Sequence, residues 1–317
     1  MHWKIKAILQ KMLAANSVGD RVNHLYGSLQ KSYYSNGVEY GFNELFLKLD
    51  LVESAEDDAS LNCKNALEIG TGYFLIQPII LKLLGWNRII TVDITRDLFN
   101  HAVRKQVAFL LQEKYLSKIR KSSRLTSSEL NNLLRELKEV KSLEQICEIC
   151  NIIYIAPYDF DDIARYGLKF NLIFSQVVLE HIPPNILSEL FRRTKKSLSS
   201  TGKIVHTVNF TDHFANPGFF GDKCISEFNF LQYSDKYWNF WAGNSLAYTN
   251  RLGYPYYYQL CEKHGLKVNN FIAQSYKEKK SLDSDKIHSD VIKKYQKHVN
   301  RDELIKVQRG IFVITHR

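Results

Sequence analysis

Residues 65–74 read Asn-Ala-Leu-Glu-Ile-Gly-Thr-Gly-Tyr-Phe, and this stretch decides the fold. It begins with a short apolar run from Ala66 to Ile69 and then breaks at Gly70-Thr71-Gly72. An apolar, helix-compatible run follows from Ile76 to Leu84. A strand, a tight glycine turn and a helix form the opening of a βαβ unit. Since glycine has no Cβ, a ligand can approach the backbone of this turn closely.

A second apolar segment, Arg88 to Asp93, predicts a strand that ends in a carboxylate. An acid about twenty residues beyond a glycine turn of this kind is placed to bind ribose hydroxyls. The glycine turn and Asp93 together therefore predict a nucleoside-binding site, and a dinucleotide such as NAD is one candidate ligand. Against NAD, the third glycine of G-x-G-x-x-G is replaced by Leu75, which follows the bulky Phe74. The Glu68 carboxylate would also repel a pyrophosphate, whereas it would attract the ammonium and sulfonium of S-adenosylmethionine.

Four segments in this order resemble the successive motifs of class I S-adenosylmethionine-dependent methyltransferases: Leu67 to Gly72, Val92-Asp93, Phe170 to His181, and Gly202 to His206. The resemblance covers roughly residues 61–317, with one long insertion, and departs from the commonest pattern at Phe74. It implies an α/β fold with a Rossmann-like seven-stranded sheet and helices on both faces. In that fold the last strand is antiparallel and lies next to the sixth. The implied cofactor is S-adenosylmethionine.

The resemblance also implies which residues bind the cofactor: Glu68, Gly70, Thr71, Gly72, Asp93, Ile94, Tyr158, Asp159, Ser175 and Gln176. In the family an acid after the third strand often contacts the adenine amino group, and an aromatic ring can stack on the base. Asp159 and Tyr158 match these positions, although Asp161 and Asp162 are alternative acids.

Methyl transfer from a sulfonium is an in-line displacement, and positioning supplies much of the catalysis. A base is needed only if the acceptor must lose a proton, and histidine suits that role near neutral pH. The candidates are His181, His206 and His213, which lie in or after the fourth and fifth predicted strands. His206 falls inside a strand, which favours a core role. His213 is the preferred base, with His181 next, and Asp212 either orients His213 or binds the acceptor.

No metal site is expected. Cys147 and Cys150 form a lone C-x-x-C without a second pair or neighbouring His ligands, so two buried thiols are the better interpretation.

The chain is predicted to divide into an N-terminal helical extension, residues 1–60, and a methyltransferase domain, residues 61–317. Residues 1–15 have helical periodicity, which favours a capping helix or a weak peripheral membrane contact. The domain carries a helical insertion at 96–150, with a predicted capping box at Thr126–Glu129. An aromatic-rich segment at 214–252 is expected to cover the substrate side, with a structural aromatic cluster as the alternative.

The composition limits the function classes. The chain has 317 residues, 45% hydrophobic residues and a net charge of +10. This positive charge would favour binding to RNA, to an anionic membrane face or to an acidic substrate. No apolar window reaches the length of a membrane span, and no secretory signal is evident, so the cytoplasm is expected. We predict methyl transfer to a small or medium organic molecule, without specific nucleic-acid binding. The alternatives are an RNA methyltransferase, suggested by the Lys/Arg-rich insertion, and an inactive cofactor-binding scaffold.

Overall fold

The computed structural model describes residues 1–14, 32–52, 64–215, 221–244, 247–275 and 282–317. Its strands are β1 (Asn65–Ile69), β2 (Arg88–Val92), β3 (Ile152–Ile155), β4 (Phe170–Gln176), β5 (Leu198–Asn209), β6 (Leu266–Gln274) and β7 (Arg309–His316). They form one seven-stranded sheet in the order β3-β2-β1-β4-β5-β7-β6, in which β7 is antiparallel to β6. The predicted fold class is confirmed. The dinucleotide-binding order 3-2-1-4-5-6 has no strand inserted between the fifth and the sixth.

Twelve α-helices lie in the described residues. They are α1 (Trp3–Ala14), α2 (Tyr33–Val52), α3 (Ile76–Leu83), α4 (Asn100–Leu110), α5 (Glu113–Ser122), α6 (Ser127–Lys138), α7 (Leu143–Ile149), α8 (Phe160–Ala164), α9 (Pro184–Ser197), α10 (Asp235–Ala242), α11 (Tyr254–Lys263) and α12 (Ser289–Ile292). Single 3₁₀ turns occur at Leu179–His181, Asn229–Gln232, Ser284–Lys286 and Arg301–Leu304. None of the described helices has both the length and the apolar character needed to cross a bilayer.

The central strands are buried along most of their length, which explains why their sequences are apolar rather than alternating. β1 pairs in parallel with β2 on one side and with β4 on the other. Strands of a parallel sheet that is covered on both faces bury successive side chains. β5 begins directly after α9, and Ser199 to Gly202 belong to the strand. A Cβ on Gly202 would lie 2.6 Å from the Phe170 carbonyl oxygen, so this close approach requires glycine.

The chain divides into two structural units. The first contains the described residues of 1–27, 177–195 and 206–317, and the second contains those of 28–176 and 196–205. The two helices of the region predicted as one extension, α1 and α2, therefore belong to different units. The remainder of that region, residues 15–31 and 53–60, lies outside the described residues.

The predicted helical insertion at 96–150 forms four helices, α4 to α7. The capping box is confirmed: the Glu129 N–H donates to Thr126 Oγ1 at 3.3 Å, and the Thr126 N–H donates to Glu129 Oε2 at 2.8 Å. Cys147 and Cys150 are free thiols; Cys150 is buried, as predicted, whereas Cys147 is half-buried.

Candidate functional site

The glycine turn after β1 adopts the backbone conformation that its sequence predicts. Gly70 and Gly72 have φ angles of +84° and +57°, in the left-handed region that favours glycine. The Gly72 N–H donates to Asp93 Oδ2 at 2.7 Å, which fixes the acid at the end of β2 beside the turn. Among the described residues, nothing lies within 4 Å of the position that a Cβ on Gly72 would take. The turn therefore presents open backbone next to a carboxylate.

Glu68 lies in a buried polar chain at the end of β1. The Thr91 hydroxyl donates to Glu68 Oε2 at 2.5 Å, and Thr71 Oγ1 lies 2.6 Å from Thr91 Oγ1. Burial raises the pKa of Glu68 to about 8, although the Thr91 bond and the charge of Lys48 oppose this shift. Without a ligand the carboxyl group is therefore largely protonated at neutral pH. The predicted attraction for a cation needs the ionised form, which a nearby positive charge favours.

Lys48 is a candidate site residue that the sequence analysis missed, since its charge acts on Glu68. Its side chain is fully buried in α2, where Nζ donates to Gln176 Oε1 and lies 3.8 Å from Glu44 Oε2. Gln176 Nε2 in turn donates to the Tyr40 hydroxyl at 2.6 Å. The end of β4 is thus held by α2. Glu44 and Lys48 have the i, i+4 spacing of an ordinary solvent-exposed helix pair, so no local signal marks the lysine as buried.

Phe74 stands close to where the third glycine of a dinucleotide turn would be. Its ring packs directly on α2, because a Cβ built on Gly37 would lie 2.1 Å from Phe74 Cζ. The Tyr33 ring lies 5.4 Å from the Phe74 ring, measured between centroids. Gly37 in α2 therefore leaves room for the Phe74 side chain.

Gly37→Ala is expected to lower the free energy of unfolding by about 1–2 kcal/mol, because overpacking against Phe74 outweighs the better helix propensity of alanine. Gly41→Ala is the matched control in the same helix. A Cβ there would meet Ile76 Cγ2 at 3.6 Å, an ordinary contact, so a gain of about 0.5–1 kcal/mol is expected. Urea unfolding of both variants tests this, and equal stability of the two would contradict the packing argument.

The remaining predicted cofactor positions differ in their surroundings. Ile94 is 78% exposed, whereas Ser175 is fully buried in β4, in register with Ile69. Tyr158 is half-buried and Asp159 is exposed. Asp159 caps α8: its carboxylate accepts the Asp161 N–H at 3.4 Å, and its own N–H donates to Asp162 Oδ2 at 2.8 Å. Two of the three candidate acids after β3 are therefore engaged in a helix cap.

The other unit brings two of the candidate catalytic residues together. His181 lies in the 3₁₀ turn that follows β4, and its Nδ1–H donates to the Tyr248 carbonyl at 2.9 Å. His213 follows β5, and its ring centroid lies 4.9 Å from that of His181. His206 is buried within β5 against the Phe191 ring, 5.7 Å away, in keeping with a core role.

Asp212 supports the loop after β5. Its carboxylate is fully buried and accepts hydrogen bonds from the Phe214 N–H at 2.9 Å and from Asn229 Nδ2 at 3.0 Å. Burial raises the pKa of Asp212 to about 6. The His213 ring accepts a hydrogen bond from Asn209, whose Nδ2 donates to His213 Nε2 at 3.3 Å.

The electrostatics of His213 bear on its predicted role as a base. Burial lowers the pKa of His213 to about 3, and the nearby His181 and Lys6 add to the shift. The ring is therefore neutral across the neutral pH range but has a low affinity for a proton. A general base works best when its pKa lies near the working pH. The base role stays a prediction, and it demands an acceptor that is itself acidic.

The aromatic segment 214–252 is partly a packed ring cluster. The Trp3 ring of α1 lies 5.7 Å from Phe214, 5.6 Å from Tyr233 and 5.5 Å from Trp238. We call Trp3 and these three residues the Trp3 cluster. Phe240, by contrast, is 62% exposed. Phe219 and Phe220 lie outside the described residues. The structural alternative thus accounts for the buried rings, and the acceptor-facing role of the segment stays a prediction.

Comparison with known proteins gave matches to solved structures only. No family model matches the chain, and no curated protein sequence does. The chain is similar to magnesium protoporphyrin IX methyltransferase from Synechocystis PCC 6803, with 13% identity, 98% of this chain and 100% of that chain covered, and a TM-score of 0.43. It is similar to the CcbJ methyltransferase from Streptomyces caelestis, with 11% identity, coverage of 87% and 89%, and a TM-score of 0.42. It is also similar to an S-adenosylmethionine-dependent methyltransferase from Clostridium acetobutylicum ATCC 824, with 9% identity, coverage of 94% and 98%, and a TM-score of 0.41.

Proposed function

We propose that this chain binds S-adenosylmethionine at the glycine turn after β1 and transfers its methyl group to a small or medium organic acceptor. The observation that carries the proposal is the 2.7 Å bond from the Gly72 N–H to Asp93 Oδ2, at the ends of β1 and β2 in a sheet of order 3-2-1-4-5-7-6. A carboxylate fixed beside an open glycine turn can accept both hydroxyl hydrogens of a ribose. The antiparallel β7 distinguishes this sheet from the dinucleotide-binding order.

The proposed chemistry is an in-line displacement at the sulfonium methyl group. Asp93 would bind the ribose, and the open backbone at Gly72 would allow the methionine part to approach. Glu68 lies within the same unit, where an approaching cation favours its ionised form. Holding nucleophile and methyl group in line supplies much of the rate enhancement.

For the acceptor we propose the elements that follow β4 and β5, together with the aromatic segment 214–252. His181 and His213 lie there, and the aromatic side chains can supply apolar contact while a few polar groups fix the orientation of the molecule. The low pKa of His213 favours positioning over proton abstraction as the contribution of this ring.

The RNA methyltransferase alternative depends on the basic residues of the insertion. Two of them are partly neutralised by exposed carboxylates: Lys114 lies 3.3 Å from Glu39, and Arg120 lies 2.6 Å from Glu113. Lys118 lies over the Phe46 ring, 4.1 Å from its centroid. These contacts favour a solvated helical surface, and we include no specific nucleic acid in the proposal.

We also propose that the protein resides in a reducing compartment such as the cytoplasm. Three cysteines in the described residues are free thiols: Cys147, Cys150 and Cys261. Disulfides form and persist mainly in oxidising compartments, so free thiols support a reducing one.

Calorimetric titration of the full chain with S-adenosylmethionine, S-adenosylhomocysteine and NAD tests the cofactor. We expect micromolar-class binding of the first two and none of NAD, because the turn lacks the third glycine and the sheet has the inserted β7. Binding of NAD without binding of S-adenosylmethionine would overturn the proposal. Methyl-transfer assays on the same preparation separate the enzyme from the inactive scaffold, which would bind the cofactor without turnover on any acceptor.

A further inference from the structure

Glu180, His181 and His213 form a cluster whose chemistry methyl transfer does not require. Glu180 and His181 are in the 3₁₀ turn after β4, and His213 is in the loop after β5. Each offers one potential ligand atom, and these three atoms all lie within 4.8 Å of one another. We propose that Glu180, His181 and His213 bind one divalent transition-metal ion.

Glu180 supplies the strongest indication of a missing partner. The residue is only 4% exposed, and its Oε1 accepts the Asn209 N–H at 3.3 Å. Within the described residues, Glu180 Oε2 is buried without a hydrogen-bond partner. A buried carboxyl oxygen without a hydrogen-bond partner is costly, and buried polar groups in proteins are usually hydrogen-bonded or bound to metals. Burial raises the pKa of Glu180 to about 8, although the charge of Arg309 opposes this shift, so a bound metal ion would displace the carboxyl proton. A cation between Glu180 and the two imidazoles would compensate this oxygen.

His181 has the orientation of a metal-binding imidazole. Because a carbonyl oxygen can only accept, the 2.9 Å contact with Tyr248 places the ring proton on Nδ1 and leaves a lone pair on Nε2. A bond from the other ring nitrogen to a backbone carbonyl is the arrangement that orients metal-ligating histidines. His181 is also exposed, which gives an ion a path to the cluster.

His213 can bind a metal ion through Nε2 if the ion displaces the hydrogen bond from Asn209. Because the Asn209 amide nitrogen can only donate, the ring proton of His213 lies on Nδ1, and Nε2 carries the lone pair that a metal ion needs. Its Nε2 accepts a 3.3 Å bond from Asn209 Nδ2, and a metal at this atom would replace that bond. Lys6 Nζ donates to the His213 carbonyl at 3.2 Å, and its charge would weaken cation binding. Asp212 interacts electrostatically with Lys6 and offsets part of this effect.

The ligand set selects the class of metal. Two imidazoles and one carboxylate suit Zn²⁺, Fe²⁺, Mn²⁺ or Co²⁺, whereas Mg²⁺ and Ca²⁺ prefer oxygen ligands. Three protein ligands leave at least one coordination position open, which an oxygen or nitrogen atom of a bound molecule could fill. Metal binding here needs no S-adenosylmethionine, so it stands independently of the proposed methyl transfer.

The test uses the full chain after removal of metals with a chelator. Calorimetric titration with Zn²⁺ alone is expected to show one ion per chain, and Zn²⁺ should raise the melting temperature because it binds the folded state. Co²⁺ should give visible absorption bands of a nitrogen and oxygen site without the intense bands of thiolate ligands. Absence of saturable binding, or a thiolate spectrum, would overturn the proposal.

Variants locate the ion. Glu180→Gln, His181→Ala and His213→Ala are each expected to weaken Zn²⁺ binding by about 100-fold or more, since even outer-shell changes cost about 10- to 100-fold. His298→Ala, at an exposed histidine, is the matched control and should bind Zn²⁺ as the wild type does. Glu180→Gln can still accept the Asn209 N–H, and melting of the metal-free proteins reports folding. If Glu180→Gln does not fold, the Zn²⁺ affinity of His181→Ala, a change at an exposed residue, tests the site instead. Unchanged Zn²⁺ affinity in a folded His181→Ala variant would refute the site, whatever S-adenosylmethionine does.

Discussion

Trp3→Ala is expected to lower the free energy of unfolding by about 3–5 kcal/mol, the usual loss for a buried tryptophan. Trp3 is only 3% exposed, and it lies at the centre of the Trp3 cluster with Phe214, Tyr233 and Trp238. Its backbone N–H also donates to Asp222 Oδ2 at 2.8 Å, so the start of α1 is attached at two points. Removing the indole would leave a cavity lined by rigid rings that can collapse only partly.

Leu9→Ala is the matched control, because Leu9 lies on the same helix and is 47% exposed. A change within about 0.5 kcal/mol is expected there. Denaturant unfolding of both variants, with equal slopes, provides the comparison. A loss below about 1 kcal/mol for Trp3→Ala would contradict the capping role of α1. Several apolar side chains of the helix remain exposed in the described structure: Ile5, Ile8, Leu9, Met12 and Leu13. Peripheral membrane contact by this face stays a prediction.

Asp93→Ala is expected to weaken S-adenosylmethionine binding by about 1–3 kcal/mol, the value of charge-assisted hydrogen bonds to the ribose. The fold should survive, because the carboxylate lies just beyond the end of β2. The substitution also removes the acceptor of the Gly72 N–H, which supports the glycine turn. Asp93→Asn separates these effects, since its amide oxygen can still accept from Gly72 while the negative charge is gone.

Calorimetry on the two Asp93 variants is compared with Asp50→Ala, which removes an exposed carboxylate from α2 and should leave the dissociation constant unchanged. If Asp93→Ala and wild type bind equally well, Asp93 is not the ribose acid. Equal weakening by alanine and asparagine would indicate that the charge matters, whereas weakening by alanine alone would point to the turn geometry.

The sequence by itself specified the strands and the glycine turn after β1, because short stretches of chain determine both. The apolar runs Ala66 to Ile69 and Arg88 to Asp93 predicted β1 and β2 to within one residue at each end. The left-handed angles of Gly70 and Gly72 follow from the one residue type that tolerates them. The position of the Asp93 carboxylate follows from the spacing between the glycine turn and the end of the second strand in a βαβ unit.

Only the tertiary structure decided the surroundings of the functional groups. The burial of Lys48 depends on Gln176, 128 residues away, and the packing of Phe74 depends on a glycine in another helix. Glu180 Oε2, which has no hydrogen-bond partner among the described residues, and the low pKa of His213 likewise reflect burial among distant segments. Periodicity and spacing report which face of an element is apolar, but desolvation and hydrogen bonding depend on what the fold places opposite that face. The sequence therefore specified the turn and its acid, while long-range packing gave Lys48 its hydrogen-bond partner and set the pKa values of Glu68 and His213.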